Sequence, residues 1–185
     1  MKNDNDFKIF LFLSLKKLII SVLDTNNQSI FKKEIIINET SDQFNFEIIK
    51  KFLDQHIFNI EKIINNFVNS IFLIIDYDNF FSVNLSIKNK ISISELDNKH
   101  INSLLIEAKN ECKKTLDGNK IIHVKINKFI IDNVDYFSLP QKISCNNLSI
   151  DVNFICLPSN FIKDLEKIFY KYQIFISKII CYDYL

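Results

Sequence analysis

The side chains able to ligate a metal, attack an electrophile or carry a proton are few in this 185-residue chain, and they lie far apart. His56, His100, His123 and the cysteines Cys112, Cys145, Cys156 and Cys181 are the available nitrogen and sulfur ligands. A zinc or redox site brings such residues together at short spacings such as C-x-x-C, and none occurs here. The cysteines stand in apolar contexts, where a free thiol behaves as a small hydrophobe, and they fit a reducing cytoplasm. The histidines read as packing or surface residues. Glu34, Glu47, Glu61, Glu95, Asp97, Glu107 and Glu111 fall on exposed faces of the predicted elements, with no apolar pocket to raise a carboxyl pKa for acid–base work. No catalytic, cofactor-binding or metal-ligating residue is expected.

Phosphate chemistry is excluded on similar grounds. Phosphate loops need glycines at defined offsets, so that backbone amides approach the anion closely. Gly118 is the chain's one glycine, and it falls in a turn that ends a helix. Nucleophile elbows, H-E-x-x-H pairs and EF-hand loops are also absent.

Arginine and tryptophan are missing altogether, Ala108 is the lone alanine, and Ile, Asn, Lys and Phe are abundant. These are residues with A/T-rich codons, so the lysine and asparagine content reflects genome bias and not low-complexity behaviour. Net charge is +1, with lysines and acids interspersed. Without a basic stripe or any guanidinium fork, nucleic acid is not an expected partner. A chain of this length buries roughly 70% of its unfolded surface, enough for a core without disulfides.

The elements that must position these residues begin with IFLFLSLKKLIISVLD (9–24), two apolar runs broken by Lys16 and Lys17. A spanning helix needs about 20 apolar residues, which the lysine pair forbids. A secretion signal wants a basic head and an unbroken apolar stretch, and the head here is MKNDNDFK. A β-hairpin is the better account, and no transmembrane segment is expected. Residues 29–37 read as a third strand, closed by TSDQ at 40–43. Phe46, Ile49, Phe52, Leu53, Ile57, Ile60, Ile64 and Phe67 recur at steps of three and four, predicting a long helix to about Val68 with one buried face.

Strands follow at 70–76 and 80–93, separated by a polar turn at 76–79. Ser94 and Asp97 open a second helix with a capping-box-like start and an apolar stripe of Ile101, Leu104, Leu105, Ala108, Cys112 and Leu116. Alternation over 121–133 predicts a half-buried strand carrying His123. A loop through Pro140 and Asn146-Asn147 leads to a strand at 148–157. Pro158-Ser159 then starts a third helix, with Phe161, Leu165, Ile168 and Tyr172 on one face. The last stretch, IFISKIICYDYL, reads as a strand with no helix after it. The whole is a mixed α/β (α+β) pattern, with outer segments able to share a sheet around an inserted strand-helix-strand piece.

HVKINKFIID (123–132) is similar to the H-V-L-P-Q-E-F-I-V-D segment of the FtsA family of bacterial cell-division proteins, with His123, Val124, Phe129, Ile130 and Asp132 identical. ISISELD (91–97) followed by LLIEAK (104–109) resembles that family's E-I-T-E-E-D and L-E-A-A-K helix, with a few extra residues between. LSIDVNFICLPSNFIKDLEKIFYKYQIFISKII (148–180) resembles its L-E-V-D-V-H-I-V-T-A strand, the helix after it and the next strand.

The resemblance implies half of an actin-like/RNase H-like domain, with residues 1–69 and 148–185 as subdomain 1A and residues 70–147 as the inserted SHS2 (1C) subdomain. It sets LFLSLKKL (11–18) on the family's ATP-gripping L-D-I-G-T-S-K-I, where Phe12 replaces the aspartate, Ser14 the glycine and Leu15 the threonine, while Lys17 is kept. A phenylalanine binds no metal or water, and a Cβ at Ser14 restricts the close approach a glycine permits. The family's second phosphate loop, adenosine site and C-terminal membrane-targeting helix lie beyond Leu185.

What this implies is a non-enzymatic, FtsA-like division protein without a cofactor, acting through its SHS2 surface on division proteins or FtsA-like protomers. It would be cytoplasmic, reaching the inner face of the cell membrane only through partners. Two alternatives stand beside it: half of a split actin-like ATPase completed by another chain, and a pilus-assembly adaptor of the PilM kind.

Overall fold

A computed structural model describes residues 7–38, 43–78 and 80–184. Two units emerge, one of residues 1–78 with 160–185 and the other of residues 79–159. The TSDQ segment lies outside the described residues but for Gln43, as does Asn79 of the polar turn.

In the first unit, β1 (Lys8–Ser14) and β2 (Lys17–Leu23) form the expected antiparallel hairpin, and β3 (Ser29–Ile36) continues it. Alternation fixes its register: Leu11, Leu13, Leu18, Ile20 and Val22 are fully buried, while Phe10, Phe12 and Ile19 on the opposite face are only half-buried. β4 (Ser70–Asp76) joins β1 in parallel and β9 (Phe175–Cys181) joins β4 in parallel, giving a five-stranded sheet in the order β3-β2-β1-β4-β9.

The long helix α1 (Phe46–Ile64) connects β3 to β4. Asn45 caps its start, its side-chain oxygen accepting from the Glu47 and Ile48 amides at 3.1 and 3.4 Å, a contribution of about 1 kcal/mol. Ile49, Phe52, Leu53, Ile57 and Ile60 are buried as the periodicity predicts. The helix stops short of Val68, however, because Asn65 turns left-handed (φ 51°) and its amide returns to the Glu61 carbonyl. Phe67 thereby leaves the helical face and stands 76% exposed.

α3 (Ser159–Tyr170) buries Leu165 and Ile168 as expected, together with Ile162 and Phe169 in place of the expected Phe161 and Tyr172. Phe161 is half-buried, stacked on Tyr77 and tilted against Phe44 and Phe46, and Tyr172 belongs to the turn after the helix. A short 3₁₀ turn, Tyr182–Tyr184, follows β9 where the sequence suggested strand to the end.

The second unit is a four-stranded antiparallel sheet, with α2 against one face. Its strands are β5 (Phe81–Ile93), β6 (Asn119–Ile131), β7 (Val134–Tyr136) and β8 (Cys145–Pro158), in the order β5-β8-β6-β7. α2 (Asn98–Thr115) is capped by Asp97 in a box with His100 and buries Ile101, Leu104, Ala108 and Cys112. These pack with Ile87, Leu148, Ile150, Val152, Phe154 and Cys156 into the unit's core. Gly118, at φ +69°, makes the left-handed turn out of the helix that its position predicted.

The unit boundaries at 78/79 and 159/160 differ from those read in the sequence, 69/70 and 147/148. Hydrogen bonding decides the matter. β4 is held between β1 and β9, so it belongs with the flanking segments, while β8 is held between β5 and β6 and belongs with the inserted ones. β7 escaped notice because three residues are too few to show alternation.

Candidate functional site

The turn of the first hairpin is where the sequence raised a chemical question, and its geometry is self-contained. Ser14 is the sole buried polar residue among those described, at 6% exposure. Its Oγ accepts from the Lys16 and Lys17 amides at 3.3 and 3.0 Å and donates to the Lys17 carbonyl at 3.2 Å. The Lys16 carbonyl in turn accepts from the Ile37 amide at 2.7 Å, which ties the turn to the end of β3. A serine hydroxyl bonded to nearby backbone groups is a local device that competes for those same amides. Beneath the turn, Leu15, Leu18, Phe44 and Ile49 leave a cavity of about 10 Å³. That is room for a single water at most.

Phe12 and Lys17 of this segment contact each other. The Phe12 ring lies edge-on to Tyr182 at 5.5 Å, with the Lys17 ammonium 5.3 Å above its centroid, a cation–π contact. Lys17 thus leans on the phenylalanine that stands where the resemblance has an aspartate.

The acids singled out in the sequence serve local structure. Glu47 pairs with Lys50, and this hydrogen bond and charge hold its carboxyl below the usual range. Glu61 accepts from the Val68 amide at 3.2 Å, and Glu111 meets Lys114 at 2.6 Å. Asp97 caps α2, its carboxyl lowered chiefly by the His100 amide. Glu34, Glu95 and Glu107 are exposed.

His56 packs edge-on against Phe52 and Phe31, and burial, with Lys33 nearby, pushes its pKa down. His123 stands half-buried on β6, opposite Ile155. All four cysteines are buried and free, and burial pushes each thiol up, Cys156 to about 11. Among the described residues, no three His, Cys, Asp or Glu side chains gather as metal ligands would.

Sequence reasoning missed a polar face on the second sheet. Asp151 on β8 accepts from the Ser86 hydroxyl at 2.5 Å and lies 3.7 Å from the Lys128 ammonium, which also binds Asp135 at 2.7 Å. Beside them Phe137 is 85% exposed, and Asn84, Lys128 and Asp151 help line a groove of about 330 Å³. The signal was available: odd positions of 149–153 are polar while even ones are apolar, so one face of the central strand had to be wet.

The sequence matches no family model and no curated protein. Solved structures do resemble it. One is that of a PilM-PilN type IV pilus biogenesis complex, 7% identical, covering 94% of this chain and 47% of that chain with a TM-score of 0.51. Another is the cytoplasmic domain of EpsL, an inner membrane component of the type II secretion system of Vibrio cholerae, 8% identical over 95% and 55%, TM-score 0.42. A third is a Bacteroides thetaiotaomicron protein with an actin-like ATPase fold and unknown function, 11% identical over 92% and 52%, TM-score 0.35. The chain spans about half the length of each of these chains. The mixed α/β class read from sequence is the one observed, with two sheets and three helices among the described residues.

Proposed function

We propose that this chain is a non-enzymatic, actin-like interaction protein, an adaptor that contributes surfaces to a multi-protein assembly at the inner membrane. The observation that carries the reading is the likeness of nearly the whole chain to about half of a chain in the PilM-PilN complex. In support, the Lys16 and Lys17 amides of the hairpin turn are bonded to Ser14, and Phe12 stands where the FtsA-like resemblance has an aspartate. No helix among the described residues is long and apolar enough to cross a membrane. Attachment through partners is part of the proposal.

This reading takes the pilus-type alternative ahead of the division-specific one. The FtsA-like segments at 91–109, 123–132 and 148–180 support the latter, with residues of the second unit as the SHS2 surface. Affinity capture of the tagged chain from its own cells distinguishes them: pilus or secretion components support the adaptor, and division proteins support the FtsA-like role. Recovery of neither, with normal division and surface structures after gene deletion, sinks both. The split-ATPase reading rests on Lys17 alone. Calorimetry with ATP, with and without candidate partner chains, is expected to give no binding, and specific binding would replace the adaptor reading with it.

A further inference from the structure

β5 is the outermost strand of the second sheet, paired with β8 on one side and with no described strand on the other. It runs thirteen residues without a proline, and Phe81–Ile87 carry no charge. A long uncharged edge is a template for another strand, which proteins blunt with lysines, prolines or bulges. Here the blunting is confined to the far half: Lys88, Lys90 and the register shift between Lys90 and Ile93. In the near half, Ser82, Asn84 and Ser86 are exposed on the wet face, while Val83, Leu85 and Ile87 pack into the core beneath α2.

FSVNLSI (81–87) is a palindrome in side-chain kind about Asn84. Antiparallel pairing with the same strand of a second copy, on a two-fold axis through Asn84, sets Ser82 opposite Ser86, Val83 opposite Leu85 and Phe81 opposite Ile87. Every cross-strand pair then matches polar with polar and apolar with apolar. Moving the axis to Ser86 puts Asn89 against Val83, and moving it to Lys88 puts that lysine against itself. A slip of one residue sets the apolar residues of one copy opposite the polar residues of the other. Of these registers, the one centred on Asn84 pairs all seven residues in kind.

We propose that Phe81–Ile87 is a homodimerisation edge through which two copies join their sheets into one continuous antiparallel sheet. Isologous pairing uses the same edge of both copies, so assembly stops at two. The contact is small by the standard of stable interfaces, so dimer and monomer exchange with concentration. This inference stands independently of the adaptor reading.

Sedimentation equilibrium of the full chain is expected to show a reversible monomer–dimer system. Asn84→Lys and Asn84→Asp each place like charges across the axis and are expected to leave monomer only, with wild-type circular dichroism and urea midpoint, because Asn84 is exposed. Mixing the two variants in equal amounts is expected to restore a dimer through the Lys–Asp pair. A wild-type chain that stays monomeric throughout its soluble range overturns the proposal, as does a dimer that survives both substitutions or a mixture that fails to recover one.

Discussion

The Ser14 hydroxyl accepts from the Lys17 amide at 3.0 Å and gives its own proton to the Lys17 carbonyl at 3.2 Å, so the first hairpin closes on itself. Removing the hydroxyl strands two amides and a carbonyl that water reaches only partly. Ser14→Ala is expected to lower stability by about 1–2 kcal/mol in urea unfolding. Ser14→Gly frees the same amides but leaves Phe12 in place, and calorimetry with ATP is expected to stay flat. Heat of specific binding in that variant would mean the loop needs only its glycine back.

Tyr172 reaches from the turn after α3 to α1, donating to Asp54 Oδ1 at 2.7 Å, with the Lys50 carbonyl at 3.2 Å. Burial, then the Asp54 hydrogen bond and charge, push its ionisation well above the ordinary phenol range. The group stabilises the fold fully below the unfolded tyrosine value of about 10, and the contribution is lost as pH rises through the higher folded value. Tyr172→Phe is expected to cost about 1 kcal/mol at neutral pH, the acceptor Asp54 being exposed. It should also flatten the alkaline fall in stability. A variant with an unchanged urea midpoint would show that the bond contributes nothing.

Asp132 turns left-handed (φ 47°) with Asn133 (φ 70°) to make the two-residue link between β6 and β7. Its carboxylate accepts from the Asn147 amide at 2.7 Å and the Asn146 amide at 3.2 Å, which hold its pKa below the usual range. The resulting stability is present above the unfolded aspartate value of about 3.9 and is lost as pH falls through the lower folded one. Asp132→Ala is expected to lower the thermal midpoint more than Asp132→Asn, because asparagine keeps an acceptor and tolerates the left-handed region. Both variants should lose part of the wild-type acid dependence, and an acid limb identical in all three would remove Asp132 from the account.

Burial of Cys112, Cys145, Cys156 and Cys181 sets their reactivity. A buried thiol raised towards 11, as at Cys156, holds almost no thiolate at neutral pH. Titration of the native chain with a disulfide reagent is expected to be slow and to become rapid in denaturant. One thiol reacting natively at the rate of free cysteine would identify an opening that the packed structure lacks.

Much of the fold was legible in the residues. The Lys16–Lys17 break, the helical spacing from Ile49 to Ile60, the Asp97 cap and the Gly118 turn all act within a few residues of themselves, so local rules suffice to find them. On α3 the middle of the face, Leu165 and Ile168, was legible, but its ends were not: Phe161 and Ile162 are adjacent apolar residues, and periodicity alone does not say which of them faces inward. The hairpin turn was legible only in part: the missing aspartate and glycine could be read, but not that Ser14 folds back on the amides it had been thought merely to crowd.

What the sequence determined by itself was most of the elements and most of their amphipathic faces, because each follows from side-chain type at short spacing. Only the tertiary structure decided that β4 lies between β1 and β9, that β8 lies between β5 and β6, and that β5 is left as an edge. Strand partners far apart in sequence are chosen by backbone hydrogen bonds and by which apolar faces can be buried together, and neither is written in any single segment.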